Sequence, residues 1–282
     1  MRRPRPLPVL TAALLAAIAW LASAEAPTAF RFVILGDRTG DVQPGVWEQV
    51  LRETASAKPA FVAGVGDTIE GLKDASAEEE WQQVEKILAA YRSIPLYLAP
   101  GNHDIWSDRS EQLFRRYAGH PPHYSFDYGH AHITVLDNSR SDELPDAELA
   151  FLEKDLQAHS AQPVKFILSH RPSWLLQAAF GNTRFPLHQL AKRFGVQYVI
   201  AGHIHQMLHI DLDGVTYVSL PSSGGHLRAS KAYVDGWFFG YTQVEVQGSV
   251  ASLQFHELKA PRGQGRTTTP KDWGMLGLIM PH

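Results

Sequence analysis

The sequence predicts an α/β protein whose chemistry gathers at the carboxyl ends of its strands. Three observations predict this. Short apolar runs at 30–35, 60–65 and 96–99 alternate with stretches of helical periodicity. Each run ends in a small residue followed by polar ones: Gly36-Asp37, Gly66-Asp67, and Gly101-Asn102-His103-Asp104. Further along, apolar runs at 164–168 and 196–200 lead straight into Ser169-His170 and Gly202-His203-Ile204-His205. Open α/β sheets place their sites at such strand ends.

The elements follow in order. Phe30 to Leu35 is continuous and apolar, as suits a strand buried on both faces. Pro44 to Ala57 carries Val46, Trp47, Val50, Leu51 and Thr54 along one helical face. A second strand spans Ala60 to Val65. Ser76 and Glu79 then match a capping box opening a helix with Trp81, Val84, Leu88 and Tyr91 on one stripe. Leu96 to Ala99 is the third strand, closed by Pro100-Gly101, so the opening third reads β-α-β-α-β.

The second half is more mixed. Tyr124 to Tyr128 and His132 to Leu136 flank Gly129-His130 as a hairpin. Pro145 to Ala158 is a helix with Leu149, Leu152 and Leu156 inward. Asp213-Gly214 is a two-residue hairpin turn between Ile210 and Thr216. Residues 237–246 and 249–256 alternate as antiparallel strands, and the tail from Lys259, rich in Pro, Gly and Lys, is expected to pack loosely.

Composition narrows the chemistry. The chain has no Cys, so disulfides and thiolate metal sites are excluded, leaving oxygen and imidazole donors. No basic run with interleaved aromatics is present, which argues against an extended nucleic-acid surface. Arg2, Arg3 and Arg5 precede an uncharged stretch from Val9 to Leu21 and then Ala22-Ser23-Ala24, the pattern of a cleaved export signal at 1–24. Its apolar stretch is short of the ~20 residues a membrane span needs. Cleavage would remove three arginines and no acid from a chain of net charge −3, leaving −6 and no membrane anchor. The expected destination is periplasmic or secreted. Oligomeric state is not legible in the sequence.

The strand-end clusters form an ordered set of hard and borderline metal donors. On them the chain resembles the calcineurin-like metallophosphoesterases, a superfamily of dinuclear metal hydrolases, from about Phe30 to about Pro221. The resemblance implies a layered α/β/β/α sandwich of two mixed sheets flanked by helices, spanning 25–258. It also implies two divalent or trivalent ions, of Mn, Fe, Zn or Mg, acting on a small phosphate ester. Two such ions about 3.5–4 Å apart can activate a water and clamp both oxygens of an in-line displacement at phosphorus.

By the same resemblance Asp67 bridges the ions, Asp37 and His205 serve the first, and Asn102, His170 and His203 serve the second. The residues themselves bear on this. Gly-Asp pairs also make ordinary turns and helix caps, but five clusters in this order favour ligation. The Asn102 carbonyl is a neutral donor that limits the charge gathered at one ion. His203 and His205 lie two apart, so on extended backbone they share a face. His103 occupies the position that in the family stabilises or protonates the leaving oxygen. Asp104 is placed either to accept the other His103 ring N–H or to cap the turn before Ile105.

Arg38, Arg171 and His226 are candidates to clamp phosphate, with a surface ion pair the competing reading for the arginines. Trp174, with Trp106 and Trp237, is a candidate aromatic rim for the leaving group, or else packs a short helix onto the sheet. The other nine histidines show no comparable spacing.

The family pattern breaks at one place. Many members carry Asp-x-His at the first motif, where this chain has Asp37-Arg38-Thr39. Purple acid phosphatases also lack that His and supply a Tyr three residues after the bridging Asp; here that residue is Glu70. Glu70 is therefore a candidate replacement ligand, with Asp41 a weaker competitor and a solvated loop position the alternative. The sequence reads as an exported metal-dependent phosphoesterase. The alternatives are a phosphodiesterase acting on cyclic nucleotides or lipid head groups, and a non-catalytic metal-binding protein with a decayed first site. Cleavage after Ala24 predicts Glu25 as the N-terminus of protein recovered from the native cell envelope, which mass spectrometry reads directly; a retained leader contradicts it.

Overall fold

Two six-stranded sheets face each other, and the apolar faces of their strands meet between them. The structure, a computed structural model, describes residues 27–274. The expected leader at 1–24 lies outside the described residues. The first sheet is built from β1 (Ala29–Leu35), β2 (Val62–Gly64) and β3 (Leu96–Leu98), joined by helices α1 (Val46–Ser56) and α2 (Asp74–Leu88). Helix α3 (Asp108–Ala118) then leads to the second sheet: β4 (Tyr124–Tyr128), β5 (Ala131–Val135), α4 (Asp146–Ala158), β6 (Val164–Leu168), α5 (Leu175–Ala179), α6 (Pro186–Arg193), β7 (Tyr198–Ala201), β8 (Leu208–Leu212) and β9 (Val215–Ser219). The chain returns to the first sheet through β10 (Gly240–Gln247), β11 (Val250–Glu257) and β12 (Thr267–Thr268).

Strand order is β12-β11-β10-β1-β2-β3 in one sheet and β4-β5-β6-β7-β9-β8 in the other. Both sheets are mixed. β1, β2 and β3 run parallel, as do β5, β6, β7 and β9, with antiparallel strands at the flanks. Parallel neighbours end side by side. The loops after β1, β2 and β3 therefore emerge together, and so do those after β6 and β7. This register delivers Asp37, Asp67 and Asn102 from one sheet to His170, His203 and His205 from the other.

Three apolar layers hold this arrangement. Between the sheets, Phe32 stacks on Phe61 at 4.5 Å and meets the edge of Phe166 at 5.3 Å, among Ile34, Ile133 and Val244. Outside the first sheet, Val46, Val50, Trp81, Val84, Leu113 and Phe114 from α1, α2 and α3 cover Val33, Leu35 and Val62. Outside the second, Leu152 and Leu156 of α4, with Ala191 of α6, cover Ile167, Val199 and Tyr217. The result is the expected α/β/β/α sandwich, each large buried side chain contributing about 1.5–3 kcal/mol.

Several local expectations differ. Helix α2 starts at Asp74 after Lys73, with no side-chain cap, and Ser76 instead bonds Glu80 at 2.7 Å. The capping box lies at α3, where the Ser107 side chain accepts from the Ser110 N–H and Ser110 reciprocates. That helix has no counterpart in the sequence reading, because its polar face leaves only Leu113 and Phe114 as an apolar signal.

The tail from 259 is not loosely packed over its described part. β12 pairs with β11, and Arg266 binds Glu257 through two 2.7 Å hydrogen bonds. Trp273 is buried with Tyr233 and Phe238. Among the described residues no helix is long and apolar enough to cross a membrane.

Trp174 is the correction with a functional consequence. It is 0% exposed and packs on Tyr217 at 5.1 Å in the core beneath α5, so it forms no rim. Trp174→Ala is expected to cost about 3–5 kcal/mol of stability while leaving kcat and KM of the folded fraction unchanged. Trp174→Phe should cost less, since the indole N–H has no hydrogen-bond partner. Denaturant unfolding alongside steady-state kinetics checks both; a changed KM without destabilisation would restore the rim.

Candidate metal centre

Asp37 and Asp67 sit two residues past β1 and three past β2, and both are wholly buried. Both oxygens of Asp37 accept the His203 N–H, at 2.9 and 3.0 Å. Asp67 Oδ1 accepts the His103 N–H at 3.0 Å, and its Oδ2 has no protein partner. Each carboxylate thus fixes the backbone of a later motif while keeping electron pairs for something else.

The second expected ligand set closes into one cluster. Donor atoms of Asp67, His170 and His203 all lie within 4.8 Å of one another. His170 Nε2 is 3.1 Å from Asn102 Oδ1, 3.1 Å from His203 Nδ1 and 3.3 Å from Asp67 Oδ1. The other ring nitrogen, Nδ1, faces the Val65 carbonyl at 2.9 Å. A carbonyl only accepts, so Nδ1 carries the hydrogen and the neutral ring aims a lone pair from Nε2 into the cluster.

Burial disfavours the His170 imidazolium, yet the Asp67 carboxylate and its hydrogen bond outweigh this and carry the group up to about 9. Burial and the charge on His170 push His203 down to about 4. Burial likewise opposes ionisation of Asp67, but His170 more than offsets it and the carboxyl is lowered. The cluster is a strong attractor for positive charge, and with protein groups alone that charge is a proton on His170.

The first set is thinner. His205 Nε2 is 3.2 Å from Asp37 Oδ2, and His205 Nδ1 donates to the His226 carbonyl at 2.7 Å, which again leaves Nε2 with a lone pair. Thr39 is fully buried with its hydroxyl unpartnered, in the place where the family pattern has its His. An orphaned buried oxygen, Asp67 Oδ2, beside a lone-pair imidazole fits a cation site, and the Thr39 hydroxyl is likewise buried and unpartnered. The donors are all oxygen and imidazole nitrogen, suited to Mn, Fe, Zn or Mg.

Other expected residues find different work. Asp104 does not touch the His103 ring: Oδ1 accepts from the Thr68 and Ile69 N–H groups at 2.8 and 3.2 Å, and Oδ2 from Gly101 at 2.9 Å. It clasps the Asp67 turn to the Asn102 turn. Burial and the Asp67 charge push it up to about 7, against the pull of those N–H groups. The His103 ring is oriented instead by the Glu70 carbonyl, which takes Nδ1–H at 2.5 Å and leaves Nε2 as the nitrogen that can take up and release a proton.

Glu70 is not drawn into the donor clusters. Its Oε1 accepts the Val42 N–H at 2.8 Å, tying down the loop after Asp37. Asp41 is bonded by the Gln43 amide. Arg38 donates to the Thr68 carbonyl at 2.8 Å and lies over Trp47, and burial lowers its pKa. Arg171 pairs with Asp142. His226 Nδ1 donates to the Gly40 carbonyl.

Two residues escaped the sequence reading. Buried Asn138 accepts from the His170 and Arg171 N–H groups at 3.1 and 3.0 Å and donates to the Arg171 carbonyl at 2.8 Å, setting the turn that presents His170. Its signal was a polar residue just past the fifth strand, the position where the other strands carry ligands. Arg228 places Nη2 3.4 Å from His205 Nε2 and had no motif to mark it.

A second His/Asp group, Asp127, His132 and His159, lies apart from this centre. Both His132 nitrogens are taken by carboxylates, Asp127 at 2.7 Å and Asp155 at 2.9 Å. Burial opposes the imidazolium, but these two partners win and raise its pKa. With both ring nitrogens engaged by carboxylates, neither is free to bind an ion.

The sandwich and its donor set define a metallophosphoesterase. The model of the calcineurin-like phosphoesterase family matches residues 30–207, and the chain belongs to that family. It is 28% identical over 299 residues to tartrate-resistant acid phosphatase type 5 of Rattus norvegicus, covering 84% of this chain and 90% of that one. It is also 28% identical over 173 residues to the 3',5'-cyclic adenosine monophosphate phosphodiesterase CpdA of Escherichia coli K12, covering 58% and 60%. Among solved structures, purple acid phosphatase PPD1 from yellow lupin (Lupinus luteus) superposes with a TM-score of 0.65 at 18% identity, over 86% of this chain and 53% of that one.

Two close approaches make the centre sensitive to single methyl groups. A Cβ on Gly101 would fall 2.1 Å from Asp67 Oδ1, and one on Gly202 would fall 2.2 Å from Asp37 Oδ1. Gly101→Ala and Gly202→Ala are expected to weaken metal binding about 10–100-fold with the circular dichroism spectrum retained. Calorimetric titration of Mn²⁺ or Zn²⁺ measures this, and affinity equal to wild type would refute the assignment.

Proposed function

We propose that this metallophosphoesterase holds two metal ions and hydrolyses small phosphomonoesters outside the cytoplasm. The observation that supports it most is the convergence of Asp67, Asn102, His170 and His203 donor atoms, with the His170 hydrogen given to the Val65 carbonyl and Nε2 turned into the cluster. Asp37, His205 and the unpartnered oxygen of Asp67 supply the first position. When bound there, ions activate a water and offset the charge of the phosphoryl group.

The chain's own residues do the rest. Asp67 lies between the two donor sets. His103, held by the Glu70 carbonyl through Nδ1–H, presents Nε2 outward, and as the imidazolium it would give the Nε2 proton to the leaving oxygen and return to the neutral ring. Glu70 and Asp104 keep the three loops in register rather than taking part in bond making. The oriented His103 speaks against a decayed, non-catalytic site, which has no use for it. Export rests on the leader pattern at 1–24. A diesterase acting on cyclic nucleotides is the second reading, supported by the similarity to the E. coli phosphodiesterase.

Metal analysis of the purified protein, with hydrolysis of a phosphomonoester and of 3',5'-cyclic AMP side by side, tests the proposal. Two ions per chain and higher kcat/KM for the monoester are expected. Faster turnover of the cyclic diester supports the second reading, and one ion or none with no turnover of either ester overturns both.

A further inference from the structure

The arginines around the metal centre are not equivalent. Arg38 is pinned to the Thr68 carbonyl and stacked over Trp47, and Arg171 is paired with Asp142. Each guanidinium is anchored through one Nη to a protein partner, although the buried Nε of each has none. Arg228 has no carboxylate partner among the described residues. Arg228 is an exposed residue whose Nη2 reaches to 3.4 Å from the lone-pair nitrogen of fully buried His205.

The chain before Arg228 fixes where it emerges. Ser223 and Gly225 N–H groups both donate to the Asp37 carbonyl, at 3.0 and 3.2 Å, Val42 and Gly225 form a β-bridge, and the His226 N–H donates to the Gly40 carbonyl at 3.2 Å. The segment 223–226 is thereby laid against the first motif, and residue 228 leaves it at the rim beside His205. Gly40, without a side chain, gives the His205 ring room beside this loop: a Cβ there would stand 2.9 Å from it.

We propose that Arg228 is the residue that binds the substrate's phosphoryl oxygens, and that it selects a terminal, dianionic phosphate over a diester. A guanidinium can only donate. With the His205 electron pair given to a cation, Arg228 has no acceptor left at that position, while it stays within reach of an anion placed there. The planar fork of N–H groups matches two phosphoryl oxygens at once. A monoester presents three non-bridging oxygens and two charges, whereas a diester presents two oxygens and one charge, so the gain is larger for the monoester. This inference rests on the two-metal phosphomonoesterase reading and adds the group that recognises its substrate.

The test compares full-length wild type, Arg228→Ala and Arg228→Lys after metal loading. Three quantities are read: metal content, binding of inorganic phosphate by calorimetry, and kcat/KM for a phosphomonoester and for 3',5'-cyclic AMP. Arg228→Ala is expected to keep its metal content, to bind inorganic phosphate about 10–100-fold more weakly, as the loss of charged hydrogen bonds implies, and to raise KM for the monoester more than it lowers kcat. Its kcat/KM for the diester should fall much less. Arg228→Lys should recover part of the phosphate affinity, because the charge returns without the fork. Phosphate affinity and monoester-to-diester preference equal to wild type in Arg228→Ala overturn the inference alone. Wild type that holds no metal and turns over neither ester overturns the underlying reading, and this inference with it.

Discussion

Everything at this centre depends on two carboxylates, Asp37 and Asp67, kept entirely out of water at the ends of neighbouring parallel strands. An isolated buried carboxylate is strongly unfavourable, and the protein answers with backbone N–H groups and imidazoles. Asp37 takes the His203 N–H and Asp67 the His103 N–H, so each acid holds a loop that comes much later in the chain. The same contacts that solvate the acids therefore aim the histidines. Removing either carboxylate would release a loop as well as a candidate ligand, which is why the site and the local fold cannot be separated here.

The loops are held in conformations that L side chains seldom adopt. Asp67, His203 and His205 all have positive φ, at 57°, 71° and 61°. Such positions cost of order 1 kcal/mol or more each and persist only where surrounding contacts over-determine them. The contacts are identifiable: Asp104 bonded to three N–H groups around Asp67, Asp37 bonded to His203, and the His226 carbonyl on His205. Left-handed backbone at a ligand turns its side chain sharply inward from a strand end. Extended backbone at 203 and 205, as the spacing of two suggested, would have put both rings on one face by periodicity. The structure brings both rings to the centre by turning the backbone instead.

That difference marks the limit of what the residues alone disclose. The strands and the order of their polar endings were legible, because buried parallel strands read as continuous apolar runs and their ends are punctuated by glycine. So was the ligand set drawn together at the second position. What stayed hidden depends on where a side chain points after folding. Asp104 and Glu70 are acids beside the site, and nothing local says that their oxygens go to the Thr68, Ile69, Gly101 and Val42 N–H groups. Trp174 lies next to a rim by sequence and points the other way, into Tyr217. Asn138 and Arg228 act on residues 32 and 23 positions away, which no motif spans.

The two His/Asp groups of this chain show what distinguishes a metal centre from a structural ion pair. At His132 each ring nitrogen meets a carboxylate, and Asp155 is further satisfied by the Ser125 and Thr134 hydroxyls at 2.6 Å. Donors and acceptors balance, the charge on the ring is matched by its neighbours, and the ring stacks on His159 at 4.0 Å. At His170 one nitrogen is matched by Val65, and the other faces two acceptors, a carboxylate oxygen and an amide oxygen, together with a second imidazole. Both central rings, His132 and His170, are fully buried, so the exposure of the imidazole does not separate them. The excess of inward lone pairs does, and it is this imbalance, beside an unpartnered oxygen of Asp67, that a cation rather than another side chain is suited to resolve.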